Sequence, residues 1–292
     1  MSDNPQTAPA QEFRLPGHDV LAITGRDAVA FAQAQFMNDV AALPAGHWHW
    51  NGWLSPKGRV IALFALLKFD AETLWLVLPD AHAADLAAAL RRYLFRSKLT
   101  LAVRDDLHAH GRFARPTQAS GATFAIDGDA VELDIGGDGG PRTLRIAPAT
   151  AADDAMAAAH WRRFDLQHGL PRLHGEQVEA WTPQQLSLER LHAFSVKKGC
   201  YPGQEIVART HFLGKAKRGL MRLQGAGIGA LGDVMAATPG EAAPAGARAI
   251  GQMICAEGDE GLAVMPLDAG DGPFSSDDRI CRQLPLRDGL AR

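Results

Sequence analysis

The sequence predicts an α+β protein with more than one domain. From residue 20 to residue 103, helical patterns alternate with strands arranged as antiparallel hairpins. A second run of short strands, separated by Gly, Asp and Pro, extends from residue 108 to residue 146. After Gly219 the chain changes to short strands and loops rich in Ala, Gly and Pro, which is typical of a small β domain. The 292 residues, of which 47% are hydrophobic, suffice for several cores.

The first unit has regular hydrophobic spacing. Trp48 and Trp50 alternate along a strand, and Leu86, Leu90 and Leu94 repeat at the four-residue step of a helix. Strands are predicted at 20–23, 47–54, 60–69, 74–78 and 99–103, and helices at 27–43 and 81–96.

The later elements are bounded by turn and cap signals. A helix over 151–167 is predicted to end at His168-Gly169, Thr182-Pro183 to open a short helix, and another helix to follow Gly203. We therefore expect a loose tail at 1–12 and an α+β region at 13–215, with subdomains at 13–105 and 106–215. A small β domain is expected at 216–292.

Composition and charge exclude several classes of function. The net charge of −3 gives no global attraction to nucleic acid or anionic membranes. No apolar run has the length of about 20 residues that a membrane helix needs, and residues 1–11 lack the apolar core of a secretory signal. The cysteines at 200, 255 and 281 are too widely spaced for a disulfide framework. We expect a cytoplasmic monomer without a metal site and without a membrane partner.

The segment from Lys197 to Arg209 carries the most chemistry. Cys200 lies between Gly199 and Gly203, beside two lysines and ahead of a helix start, where a thiolate is favoured. Gln204 and Glu205 fall in the first helical turn. A structural interpretation is also open, with a half-buried cysteine in a tight turn and an ordinary i,i+4 ion pair between Glu205 and Arg209.

A basic cluster covers residues 195–222. It has seven basic residues and a single acid, Glu205. The basic residues are Lys197, Lys198, Arg209, Lys215, Lys217, Arg218 and Arg222. Such a cluster attracts an acidic ligand, for example a glutamate-tailed cofactor or an RNA backbone. The alternative is a solvated surface stripe.

The stretch Lys198-Gly199-Cys200-Tyr201-Pro202-Gly203-Gln204-Glu205, continuing to Ala208-Arg209, resembles the signature of the YgfZ family. Three further stretches resemble family motifs in the same order along the chain. They are residues 23–28 with Gln33, Gln35, Asn38 and Asp39; the hairpin Ser55-Pro56-Lys57-Gly58-Arg59; and residues 214–218.

This resemblance implies a fold similar to the aminomethyltransferase of glycine cleavage. It implies three domains around a central cavity, the last of them a β-barrel at 216–292. It further implies a protein that binds tetrahydrofolate or another reduced folate and supports assembly or repair of iron–sulfur enzymes, including a tRNA-thiolating one. The resemblance makes Cys200 the functional thiol and assigns Trp161 to the folate site, together with His18, Gln35 and Asp39.

Two alternatives remain. One is a folate-dependent aminomethyl transferase, but Pro79-Asp80 stands where the transferase has an Asn-Ala motif, so transferase chemistry is not expected. The other is an RNA-binding module that uses the cluster at 195–222. That segment lacks the stacking aromatics of common RNA-binding platforms. The expected partners are therefore folate and iron–sulfur client enzymes, and direct binding to nucleic acid is not expected.

Overall fold

A computed structural model describes residues 11–173, 175–214, 216–238, 244 and 246–292. Most of the predicted N-terminal tail, and Lys215 of the basic cluster, lie outside these residues. Within them, none of the helices has the length and apolar character needed to cross a membrane.

The regular elements comprise strands and α-helices in two α+β units and a barrel. The strands are β1 (Phe13–Arg14), β2 (Asp19–Thr24), β3 (His47–Leu54), β4 (Val60–Lys68), β5 (Thr73–Leu78), β6 (Thr100–Val103), β7 (His108–Arg112), β8 (Ala125–Asp127), β9 (Ala130–Asp134), β10 (Thr143–Ala147), β11 (Arg218–Gln224), β12 (Asp233–Ala236), β13 (Gly251–Glu257), β14 (Glu260–Pro266), β15 (Phe274–Ser276) and β16 (Arg279–Leu284). The helices are α1 (Ala28–Gln35), α2 (Ala83–Arg91), α3 (Ala155–Gln167) and α4 (Gln204–Phe212).

Two five-stranded sheets form the α+β part. The first has the order β3-β4-β5-β2-β6, and the second has the order β1-β7-β10-β9-β8. The apolar side chains of α1 and α2 share one core with the first sheet, in which Leu21, Phe31 and Leu86 are buried. The short strand β1 pairs with β7, so the chain enters the second sheet before it builds the first.

Three helices are shorter than the sequence predicts. Helix α1 ends at Gln35 rather than Leu43 because Phe36 adopts an extended backbone and pairs with Trp53 of β3. Helix α2 ends at Arg91 rather than Arg96 because residues 94–97 form a tight turn. Helix α3 begins at Ala155 rather than residue 151, where Asp154 accepts a hydrogen bond from the Ala157 N–H, and it ends at Gln167. The predicted end signal His168-Gly169 follows directly, with Gly169 at φ +69°.

One predicted element is replaced. The turn that follows Thr182-Pro183 does not develop into an α-helix, and a 3-10 helix forms instead at Leu188–Leu191.

The last unit confirms the predicted β-barrel. Six strands close in the order β11-β14-β13-β12-β15-β16 around a separate apolar core that includes Met253 and Phe274. Beyond the barrel, the chain returns across the second sheet to the first unit, where the Leu290 carbonyl accepts a 2.8 Å hydrogen bond from Trp50 Nε1. This return connects all three units.

Candidate functional site

Residues 195–203, named here the cysteine loop, lie against the end of α1. The Ser195 N–H donates to the Met37 carbonyl at 2.9 Å, and the Asn38 amide donates to the carbonyls of Trp50 and His192. The loop is therefore fastened to the first unit, although 150 or more residues separate it from α1 in sequence.

Lys198 provides the strongest attachment. Its side chain is buried, and its ammonium group donates to the carbonyls of Gln33 and Phe36 at 2.5 Å and of Asn38 at 3.2 Å. Burial lowers the pKa of Lys198 to about 8, while Asp39 opposes this shift. The Lys198 ammonium group is therefore bound to the main chain that leaves α1. The predicted effect of the two lysines on the Cys200 thiolate stays a prediction. Lys197 remains exposed.

Two further signature residues support the loop from within. The buried Tyr201 donates its hydroxyl proton to the Ser195 carbonyl at 3.1 Å, and burial raises the pKa of this phenol to about 12. Gln204 donates from Nε2 to the Lys198 carbonyl at 3.1 Å. Both side chains donate hydrogen bonds to carbonyls of the cysteine loop, so they stabilise its conformation.

Glycine at position 203 is required by close packing against the hairpin at 55–59. Gly203 caps α4 at φ +79°, and a Cβ atom there would lie 2.6 Å from both Gly58 Cα and the Ser55 carbonyl oxygen. Gly199 differs, because a Cβ atom there would meet nothing within 4 Å and its φ is not positive. A side chain is therefore excluded by packing at Gly203 but not at Gly199.

Cys200 is the exposed member of the three free cysteines, whereas Cys255 and Cys281 are buried. Burial raises the pKa of the Cys255 thiol to about 12 and that of Cys281 to about 11. The half-buried cysteine of the structural interpretation is therefore not observed. Glu205 and Arg209 also point to solvent, and among the described residues they form no ion pair with each other.

The basic cluster at 195–222 is not a continuous surface. Lys198 is buried, and Arg222 is buried against Glu260 with an Nε–Oε2 distance of 2.6 Å. Arg218 donates to the Ile250 carbonyl. These three cations stabilise the fold, which leaves Lys197, Arg209 and Lys217 as exposed members among the described residues.

Trp161 lies in the core, with an exposed fraction of 1%. Phe13 and Phe113 pack against its ring, and the Arg142 guanidinium lies 4.2 Å from the ring centroid. A pterin ring could reach the indole face only if these neighbours moved. The assignment of Trp161 to a folate site stays a prediction.

His18 lies near a buried ionic network at the junction of the units. Asp165 accepts from Arg142 at 2.9 Å and from Arg172 at 2.6 Å, and Arg172 also contacts Asp80 at 2.8 Å. Burial of the His18 ring, followed by the charge of Arg172, lowers the pKa of His18 to about 3. Its imidazole is therefore neutral at physiological pH.

Gln35 and Asp39 lie elsewhere, beside Lys198 at the end of α1. Asp39 Oδ1 accepts from Gln33 Nε2 at 3.0 Å and from the Ala42 N–H at 3.1 Å. The Gln35 Oε1 atom is buried without a partner among the described residues. The four residues assigned to folate thus form two groups, one near Arg142 and one near the cysteine loop.

A mainly apolar cavity of about 460 Å³, which the sequence analysis does not predict, lies where the first unit meets the segment around Leu173. Trp53, Leu86 and Leu173 form part of its wall, and Asp80 and Asp85 add carboxylates. The Trp53 Nε1 donor is buried and has no partner among the described residues. One sequence feature could have indicated this cavity: Trp53 lies on the opposite face of β3 from Trp48 and Trp50.

Comparison with known proteins agrees with this architecture. No protein-family model matches the chain. The tRNA-modifying protein YgfZ of Vibrio vulnificus strain YJ016 is 29% identical over 227 residues, which cover 71% of this chain and 68% of that protein. The tRNA-modifying protein YgfZ of Cronobacter sakazakii is 29% identical over 251 residues, with 76% of each chain covered.

The chain is a relative of the YgfZ proteins. A crystal structure of the glycine cleavage aminomethyltransferase T from Bartonella henselae has the same fold, with a TM-score of 0.69 over 97% of this chain and 88% of that one. The sequence identity is 14%, so this likeness concerns the fold alone.

Within this YgfZ-like signature, most of the side chains have structural tasks. Hydrogen bonds to main-chain carbonyls are donated by Lys198, Tyr201 and Gln204. The missing side chain of Gly203 allows the hairpin at 55–59 to pack closely. Cys200 has none of these tasks and faces solvent. The arrangement therefore presents one thiol on a loop that is held by hydrogen bonds to main-chain groups.

Proposed function

We propose that this protein is a folate-binding accessory factor that supports assembly or repair of iron–sulfur enzymes, including enzymes that thiolate tRNA. The observation that carries the proposal is the exposed Cys200 thiol on a loop whose other signature side chains are bound to main chain. Two relatives described as tRNA-modifying proteins support the link to tRNA.

The chemistry of one thiol limits what Cys200 does. A thiolate is a nucleophile and a ligand for iron, and the usual iron–sulfur centres are held by about four ligands. Cys200 offers one such ligand, and Cys255 and Cys281 are buried. In this proposal the partner enzyme therefore supplies the remaining ligands, and Cys200 acts at the interface with it.

In this proposal the folate ring binds in the cavity beside Trp53. Its volume of about 460 Å³ falls within the range of about 300–1,000 Å³ typical of small-molecule sites. The indole of Trp53 forms part of the wall, with an exposed fraction of 5%. Its Nε1 is buried without a partner among the described residues, so it donates to a ligand only if the wall moves. The Asp85 carboxylate at the rim can accept from the amino group and ring N–H of a pterin.

Calorimetric titration with tetrahydrofolate tests this placement. Trp53→Ala should weaken binding about tenfold, because stacking and apolar contact are lost. If folate binds beside Trp53, Trp161→Phe should leave the affinity unchanged, because the Trp161 ring faces the core. Trp75→Ala, a half-buried tryptophan outside the cavity, is the matched control. If Trp161→Phe binds tetrahydrofolate more weakly while Trp53→Ala binds it with wild-type affinity, the folate site lies at Trp161 and not beside Trp53.

A pull-down under anaerobic conditions tests the role of the thiol. Wild type and Cys200→Ala serve as baits, and captured iron–sulfur enzymes are identified by mass spectrometry. The variant should lose these enzymes while its tetrahydrofolate affinity stays at the wild-type value. Equal capture of the same enzymes by both baits would contradict the proposal.

A further inference from the structure

The turn between α2 and β6 concentrates positive charge far from the cysteine loop in sequence. Four cations follow one another closely there, at Arg91, Arg92, Arg96 and Lys98, and all are exposed. Arg26 joins them, because the Asp27 carboxylate accepts from the Lys98 N–H at 2.7 Å and fixes the two segments together. We name these five cations and Phe95 the arginine turn.

Phe95 stands at the tip of this turn in an unfavourable setting. Its side chain is 90% exposed. The Ser97 N–H donates to the Leu94 carbonyl at 2.7 Å, which closes the turn, and Phe95 has φ +44°. Glycine is the residue that this region of backbone conformation favours. Neither packing nor backbone preference therefore explains a phenylalanine at position 95.

The charges of the arginine turn are unsatisfied. Within the described part of the chain, none of the five cationic side chains has an ion pair or a side-chain hydrogen bond. Asp27 is the acid in contact with the turn, and one of its oxygens accepts from main chain. Other arginines of the described chain are paired, as Arg104 is with Asp106 at 2.7 Å.

We propose that the arginine turn binds RNA. Guanidinium and ammonium groups contact phosphates, and an exposed aromatic ring stacks on an unpaired base. The arginine turn places both kinds of group side by side, on a chain whose net charge of −3 gives no general attraction to polyanions. The inference uses neither Cys200 nor the cavity beside Trp53.

The surroundings of Phe95 favour RNA over an anionic membrane. A membrane-binding face needs a broad apolar area beside its cations. Here the neighbouring apolar residues Tyr93 and Leu94 pack against the core of the first unit. Phe95 is therefore a lone ring among charges, which suits stacking on a base better than insertion into lipid.

Fluorescence anisotropy with labelled unfractionated tRNA tests the proposal. Phe95→Gly should weaken binding at least about fivefold, because base stacking is lost. Its melting temperature should not fall, because glycine suits the backbone at this position. The double variant Arg92→Ala/Arg96→Ala should weaken binding and reduce the slope of log affinity against log salt by about 1.5, because two phosphate contacts are lost.

Matched controls are an exposed apolar residue and an exposed arginine elsewhere. Met156→Ala, at 85% exposure, and Arg279→Ala in the barrel should bind tRNA as wild type does. The proposal is overturned if wild type does not bind tRNA, or if the controls lose as much affinity as the variants of the turn. Equally strong, Phe95-dependent binding to phosphatidylserine vesicles or to polyglutamate would also overturn it.

Discussion

The ammonium nitrogen of Lys198 lies 2.5 Å from the carbonyl oxygen of Phe36. A residue of the cysteine loop thereby satisfies main-chain acceptors at the point where α1 ends. The loop that presents Cys200 is thereby attached to the first α+β unit.

The first prediction concerns this contact. Lys198→Met should lower the free energy of unfolding by about 2–3 kcal/mol, because hydrogen bonds from a charged donor are lost and buried carbonyls remain. The neighbouring exposed Lys197→Met should change it by less than about 0.5 kcal/mol. Urea unfolding of the three proteins measures the difference, and equal stability of the two variants would contradict the structural role of Lys198.

The second prediction separates the two glycines of the signature. Gly203→Ala should destabilise the protein by at least about 2 kcal/mol, because the new methyl group meets the main chain of the hairpin and the backbone has a positive φ. Gly199→Ala should be tolerated, because the space beside it is open. Thermal unfolding measures both, and a Gly203→Ala protein as stable as Gly199→Ala would show that the hairpin contact is not tight.

The third prediction concerns pH. Asn51 fixes the tautomer of His49. Its Oδ1 accepts from the N–H groups of Asn38 and Gly52, so its Nδ2 donates to His49 Nε2 at 3.1 Å. Burial, which Asp39 opposes and Lys198 reinforces, lowers the pKa of His49 to about 3.

The unfolded chain therefore binds a proton at this residue below about pH 6.5, while the folded chain does not until about pH 3. Stability contributed by His49 is present above pH 6.5 and is lost as pH falls, by up to about 1.4 kcal/mol per pH unit. Urea unfolding between pH 3 and pH 6.5 should show that the free energy of unfolding falls less steeply with decreasing pH for His49→Gln than for wild type. An unchanged slope would mean that His49 is charged in the folded state.

Sequence patterns located most of the fold because local spacing determines it. The alternation in β3 and the leucine repeat in α2 needed no tertiary information. The end of α1 could not be read in this way, because acceptors there are satisfied by Lys198 from a distant segment. The cavity at Trp53 was missed for the same reason, since its wall combines β3, α2 and the segment around Leu173.

The signature located the functional loop but not the task of each residue in it. A lysine beside a cysteine reads as a cation for a thiolate, and the sequence carries no sign that Lys198 turns inward. Likewise, the sequence does not show whether the ring of a tryptophan on a helix is open to a ligand or covered by neighbouring elements. The burial of Trp161 depends on Phe13 and Arg142, which come from other elements.

The fourth prediction ranks the thiols. Native protein treated with a maleimide should be labelled fastest at Cys200, because Cys255 and Cys281 are buried and burial raises the pKa of both thiols. Residue-resolved mass spectrometry over a time course gives the order. Labelling of Cys255 before Cys200 would contradict the exposure that the structure shows.

The most direct test of the proposed role is complementation of a strain that lacks the protein. Cys200→Ser nearly preserves volume at an exposed site and should change stability by less than about 0.5 kcal/mol. Cys281→Ala, which removes a buried thiol, is the control. We predict that Cys200→Ser fails to restore iron–sulfur enzyme activity and thiolated tRNA, while its folding and tetrahydrofolate affinity stay normal. The Cys281→Ala control should restore both the enzyme activity and the thiolated tRNA. Full restoration by Cys200→Ser would contradict the account.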